Sequence, residues 1–82
     1  MIQVSVYFYS YFKELAGCAQ TSLELADDSS LDDLLRDLGA RFPKWNAMRN
    51  ATLIAVGVEY QGRDYVLKPG DEVSLFPPVQ GG

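Results

Sequence analysis

The chain offers few side chains for catalysis. It has no histidine and one cysteine, Cys18, which excludes Ser-His-Asp chemistry, the usual zinc ligand sets and an internal disulfide. Cys18 follows Gly17 with no histidine to activate it, and reads as a small residue beside a turn. What remains is the stretch Phe76-Pro77-Pro78-Val79-Gln80-Gly81-Gly82. An apolar run stops at two prolines, which lack the N–H donor and fix φ, so neither a helix nor a central strand continues through them. They hold the following residues extended and direct them away from the fold. Gly81 and Gly82 add the widest backbone freedom and no side chains. Such an end presents a bare α-carboxylate on a thin tail, which makes the C-terminus itself the candidate reactive group.

Composition narrows the setting. Eighty-two residues, 48% of them hydrophobic, suit one small domain with a modest core. No run of about 18 apolar residues is present, so no membrane span is expected. The first residues lack the pattern of a signal peptide, and a cytoplasmic location is expected. A net charge of −4 argues against nucleic-acid binding and suits a basic protein partner or an enzyme with a positive mouth.

The elements that must carry the tail follow from periodicity. Ile2, Val4, Val6 and Phe8 alternate with Gln3, Ser5, Tyr7 and Tyr9, predicting a first strand with one buried face. Ser10 is a candidate N-cap for a short helix over 11–16, closed by Gly17. A second strand is expected over 21–25, with Leu23 and Leu25 inward, pairing with the first across a wide connection. Leu31, Leu34, Leu35, Leu38 and Phe42 form an amphipathic stripe that begins at a weak Ser30/Asp33 capping box and ends at Pro43. Gly39 costs this helix about 1 kcal/mol relative to Ala and predicts a loose last turn. Asp27, Asp28, Asp32 and Asp33 sit at the positive end of the helix dipole, which accounts for them without a metal.

Residues 44–51 read as irregular, with a short turn around Trp45. Strands are expected over 52–58, as a short edge over 65–67, and over 72–76, separated by turns at 61–64 and 68–71. Pro69-Gly70 in the second turn favours type II. In the last strand Val73 and Leu75 share one face, which puts Phe76 with Ser74 on the other. Phe76 is therefore a candidate docking anchor, joined by Tyr7, Tyr9 and Tyr60 in an apolar patch. One long helix laid across four or five strands gives an α+β layer arrangement.

The pieces Phe12-Lys13-Glu14-Leu15-Ala16-Gly17, Ala55-Val56, Gly70-Asp71-Glu72-Val73 and Phe76 to Gly82 together resemble the ubiquitin-like sulfur carriers of the MoaD/ThiS family, most closely the MoaD-type small subunits of molybdopterin synthase. The resemblance spans the whole chain. It implies a ubiquitin-like β-grasp fold over 1–76, with first and last strands parallel neighbours, and an extended, flexible tail over 77–82. Two residues depart from the family pattern. Gly57 stands where Asn is common, and Lys13 where Arg is common; lysine lacks the bidentate fork of arginine.

The resemblance also implies a mechanism. An E1-like enzyme uses ATP to adenylate the Gly82 carboxylate, and a sulfur donor converts it to a thiocarboxylate. The tail (Pro77, Pro78, Val79, Gln80, Gly81) enters the active site of the large synthase subunit, where the sulfur attacks the cyclic pyranopterin precursor. A thiocarboxylate is a soft nucleophile that needs no side-chain base on the carrier. The carrier itself is expected to bind no cofactor and to catalyse nothing alone. Residues 77–82 reach up to about 20 Å at roughly 3.3 Å per residue. Phe76, Tyr9, Tyr60 and Lys13 are the expected partner contacts, in a complex that the resemblance makes a dimer of heterodimers. Three readings stay open beside this one: a carrier for thiamin thiazole or tRNA thiolation, a ubiquitin-like protein modifier, and a plain interaction domain.

Overall fold

The computed structural model describes residues 1–78; the expectations placed on 79–82 lie outside the described residues. The sheet comprises β1 (Ile2–Phe8), β2 (Gln20–Leu25), β3 (Leu53–Val56), β4 (Glu59–Tyr60) and β5 (Glu72–Phe76) in the spatial order β2-β1-β5-β3-β4. β1 pairs antiparallel with β2 and parallel with β5, in a register running from Ser5↔Glu72 to Phe8↔Leu75. β3 lies antiparallel to β5 and β4. This is the expected β-grasp, with five strands and the first and last at its centre.

One face of the sheet carries the core. Val4, Val6, Val73 and Leu75 are fully buried beneath the long helix α2 (Leu31–Arg41), which inserts Leu31, Leu34, Leu35 and Leu38. At about 1.5–3 kcal/mol for each fully buried aliphatic side chain, this interlayer contact is the main stabilising term.

The α2 N-terminus is satisfied from two sources. Ser30 and Asp33 form a full capping box: Ser30 Oγ accepts from the Asp33 amide at 3.2 Å, and the Ser30 amide donates to Asp33 Oδ2 at 3.0 Å. The Leu31 and Asp32 amides donate to the Tyr65 and Arg63 carbonyls, at 2.9 and 3.0 Å. The sequence reading of 65–67 as an edge strand is corrected here. Within that stretch Tyr65 caps the helix and Val66 makes only an isolated bridge with Ser30, while Glu59–Tyr60 forms the edge.

Three other expectations change. Ser10 is not an N-cap: it adopts a left-handed φ of 58°, and Tyr11 occupies the cap of α1 (Phe12–Ala16) with no side-chain bond. This tight turn swings the chain off β1 at once, so Phe12 enters the core two residues after it. Gly17 closes α1 as expected, at φ 77°. Residues 44–51 are not irregular. Pro43 ends α2 and also starts α3 (Pro43–Asn46), a use of proline's preset φ at a helix start, and a 3-10 turn follows at Arg49–Ala51. Trp45 is fully buried on α3, in edge contact with Phe12 at 6.3 Å. Gly39 is buried rather than loose. A Cβ there would come within 2.9 Å of Asn46 Cγ, so the missing side chain admits α3 against α2.

The turn at 68–71 keeps its predicted chemistry, whereas the strand expected over 52–58 is cut to Leu53–Val56 by a turn at Gly57-Val58. Gly70 takes φ 83° and the Asp71 amide donates to the Lys68 carbonyl at 3.1 Å, as a type II turn requires. Gly57 sits at φ 62°, a left-handed conformation that asparagine also tolerates, so this departure from the family pattern conserves the backbone.

The Ser30 backbone amide bonded to Asp33 holds its carboxyl below the ordinary value of 3.8, and the Ser30 hydroxyl and Arg36 act in the same direction. A depressed carboxylate stabilises the fold above its unfolded value and loses that contribution as pH falls through the folded value. Asp33→Asn is therefore expected to lower Tm at pH 7, and the gap from the parent is expected to shrink by pH 3. Thermal melts at the two pH values test this, and a gap of constant size at both would contradict it.

Candidate functional site

The site is built where the two central strands end together. The last pair in their register is Phe8↔Leu75, and the Tyr9 amide extends it by donating to the Leu75 carbonyl at 3.2 Å. Phe8 and Leu75 point into the core, so alternation sends Tyr9 and Phe76 to the opposite face, which no helix covers. Their rings stack at 4.7 Å with 13° between planes. Tyr60 meets Phe76 edge-on at 6.4 Å and 61°. Such pairs contribute about 0.5–1.5 kcal/mol beyond area burial.

The cluster has a floor of small residues. Ala55 lies opposite both Tyr60 and Ser74 on the helix-free face, and is buried there although it takes no part in the main core. Leu53 pairs with Phe76 and remains 38% exposed, extending the patch. Tyr9 is 41% and Tyr60 71% exposed, which leaves both rings available to a partner. The patch contains no charged side chain.

The predicted site residues divide into three groups. Phe76, Tyr9 and Tyr60 come together. Tyr7 does not join their ring contacts: it lies opposite Ser74, and its hydroxyl is 3.5 Å from Gln20 Nε2 on β2. Lys13 is exposed on α1, whose Phe12 packs into the helical layer with Trp45, apart from the aromatic face. Pro77 and Pro78 are part-buried and follow the last strand residue directly; Val79, Gln80, Gly81 and Gly82 lie outside the described residues. Leu53 was missed by the sequence reading, although its alternation with Ile54, which faces the core, points to it. Among the described residues there is no pocket, no group of three side chains placed to hold a metal, and no helix long and apolar enough to cross a membrane.

An aromatic cluster at the root of a proline-led end is the arrangement expected of a carrier, and comparison with known proteins agrees. The sequence profile of the ThiS family matches residues 6–82. The chain belongs to the ThiS family. A molybdopterin synthase sulfur carrier subunit from Chlamydomonas reinhardtii is 32% identical over 84 residues, spanning 99% of this chain and 100% of the relative. A Pyrococcus furiosus structure described as molybdopterin converting factor subunit 1 matches with a TM-score of 0.88 at 30% identity, covering 96% of this chain and 100% of that one. A Helicobacter pylori structure of subunits 1 and 2 of molybdopterin-converting factor in complex matches with a TM-score of 0.72 at 26% identity, covering 99% of this chain and 100% of that chain.

The division of faces has a measurable consequence for this ThiS-family chain. Leu75→Ala opens a hole in the core and is expected to cost about 2–5 kcal/mol. Phe76→Ala, one residue on, removes only exposed-face ring contacts and is expected to cost about 1–2 kcal/mol. Chemical denaturation of both variants checks this, and equal losses would place Phe76 in the core.

Proposed function

We propose that this chain is the sulfur carrier of a molybdopterin synthase, acting in molybdenum cofactor biosynthesis in the cytoplasm. The reading is supported above all by the Tyr9–Phe76–Tyr60 cluster, an uncharged and accessible surface at the last strand residue before Pro77-Pro78. The match to sulfur carrier subunits over nearly the full length of both chains adds to it.

In this scheme the cluster docks the large synthase subunit, and the tail from Pro77 to Gly81 delivers Gly82 into that subunit's active site. Beforehand, the Gly82 carboxylate attacks the α-phosphate of ATP on an E1-like enzyme, releasing pyrophosphate. A sulfur donor then displaces AMP and leaves a thiocarboxylate. That sulfur attacks the cyclic pyranopterin precursor to give a thioester, and water then cleaves the acyl C–S bond, leaving sulfur on the pterin and restoring the Gly82 carboxylate. The carrier supplies no acid, base or metal, and ATP binds the activating partner. Transfer is then governed by how the tail is presented.

Intact-mass analysis of the chain incubated with its activating enzyme, ATP and a sulfur donor is expected to show one oxygen replaced by sulfur at the C-terminus. Deletion of Gly82 is expected to leave Tm unchanged and abolish transfer to the pterin precursor. Residual transfer by the truncated chain would rule out a terminal thiocarboxylate. Transfer to a thiazole precursor or a tRNA base, or appearance of protein conjugates, would reassign the acceptor.

Phe76→Ala is expected to reduce capture of the large subunit in a pull-down by at least tenfold, the loss typical of an interface anchor. Unchanged capture would remove Phe76 from the interface.

A further inference from the structure

The two edges of the sheet are unlike. β4 is only Glu59–Tyr60, and so offers little backbone to another chain. β2, at the other edge, runs from Gln20 to Leu25, and among the described residues it pairs with no strand but β1. The Phe8 amide donates to the Ala19 carbonyl at 2.9 Å, one step beyond the Tyr7↔Gln20 pair. Antiparallel strands alternate residues that bond across the pair with residues whose amide and carbonyl point away. Ala19, Thr21, Leu23 and Leu25 therefore bond to β1, while Gln20, Ser22 and Glu24 turn their backbone groups to the open edge. The same alternation on β1 sends Ser5 and Tyr9 to the β5 side, where their amides donate to the Asp71 and Leu75 carbonyls at 3.0 and 3.2 Å. Natural sheets blunt an open edge with lysine, proline, a bulge or a covering element. β2 contains no lysine or proline, its register with β1 is unbroken, and Gln20, Ser22 and Glu24 are exposed.

We propose that β2 is a docking edge for a second copy of this chain, paired antiparallel with Ser22 on the two-fold axis. Gln20 then stands opposite Glu24 of the second copy, and Thr21 opposite its Leu23. Ser22 exchanges both backbone bonds with its own copy, and Gln20 exchanges both with Glu24, so all the outward groups of these residues are used. The side chains fit this register. The Gln20 amide can donate to the Glu24 carboxylate opposite, whereas centring the pair on Glu24 would oppose two carboxylates. One strand thus supplies both halves of an isologous contact. A two-fold normal to the sheet keeps both helical layers on one side and both aromatic clusters on the other. β1 separates β2 from β5, so the Tyr9–Phe76–Tyr60 cluster stays uncovered and the two copies of β5 run in opposite directions. An edge of six residues makes a small contact, so the association is weak and reversible. The pairing does not depend on the carrier reading.

The test is amide hydrogen exchange by NMR on the full chain between about 20 µM and about 1 mM, with sedimentation equilibrium on the same samples. The Thr21 and Leu23 amides are expected to be protected at every concentration. The Gln20, Ser22 and Glu24 amides are expected to gain several-fold protection at the highest concentration, as the mass moves toward a dimer, with the Tyr9 and Phe76 resonances unmoved. Ser22→Pro removes an edge N–H without touching the bonds to β1, and is expected to fold by circular dichroism and sediment as a monomer. Gln20→Glu serves if that variant does not fold: it is expected to weaken the dimer roughly tenfold, because the two-fold repeats the opposed carboxylates, and Gln20→Lys is expected to tighten it. Glu59→Gln, on the opposite edge, changes the net charge as much as Gln20→Lys and is expected to match the parent. A chain that stays monomeric at the highest concentration would overturn the proposal. So would a dimer whose shifts fall on Tyr9, Tyr60 and Phe76, or one that the folded β2 variants leave unchanged. Protection of the Ser22 amide only on adding the large synthase subunit would give the edge to that partner and overturn the pairing of copies.

Discussion

The parallel pairing of β1 with β5 is the constraint on which the rest depends. Parallel neighbours require a crossover, and here the crossover is nearly the whole chain, from the turn at Ser10 to the turn at Gly70. Within one register it lines up Val6 with Val73 and Phe8 with Leu75 on the core face, all at most 2% exposed. It also makes the two strands end together, and so produces the Tyr9–Phe76 stack on the other face. Because side chains alternate strictly, slipping this register by one residue would send the core residues into water and bury the aromatic cluster. The core and the aromatic face are therefore set by the same hydrogen-bond ladder.

The helical layer closes the core on the face opposite the aromatic cluster. Its long helix is held at the start by carbonyls from Arg63 and Tyr65, and at the end by α3, which approaches through the gap left by Gly39. α3 carries Trp45 under α1. The acidic residues that dominate the net charge gather at the α2 N-terminus, where they offset the helix dipole.

Features that repeat along the chain were readable before any coordinates. The alternation of Ile2 to Phe8, the leucine stripe of α2, the Ser30/Asp33 box and the Pro69-Gly70 turn each state their conformation locally, and all hold. Phe76 was assigned to the helix-free face by counting from Leu75 alone. Features that depend on a distant neighbour were not readable. Four residues of α3 are too short to show a helical period, so Trp45 looked like part of a turn. Gly39 looked like a defect because Asn46, the atom group it makes room for, is seven positions away. Residues 65–67 looked like a strand because their apolar and aromatic types fit one, yet the Tyr65 carbonyl caps a helix and the Leu67 amide donates to Ser29 just before it. Tyr7 shares the phase of Tyr9 but sits over the β2 side of the sheet. Which half of the sheet a residue covers is set by strand order, which alternation does not encode.

The end of β5 explains why docking and transfer can be separate jobs on adjacent residues. Leu53 begins β3 opposite Phe76, and Pro77 has no N–H with which to extend the ladder, so the sheet stops at one defined position. Phe76 is held by a backbone pair and by two rings, which places the anchor on the rigid part of the molecule. A six-residue segment that starts there reaches at most about 20 Å from this anchor, and the preset φ of two successive prolines restricts its first steps. In the proposed carrier role, an anchor at this position would raise the effective concentration of the C-terminal group in a partner's pocket. Backbone hydrogen bonds, ring stacking and two prolines would suffice for that.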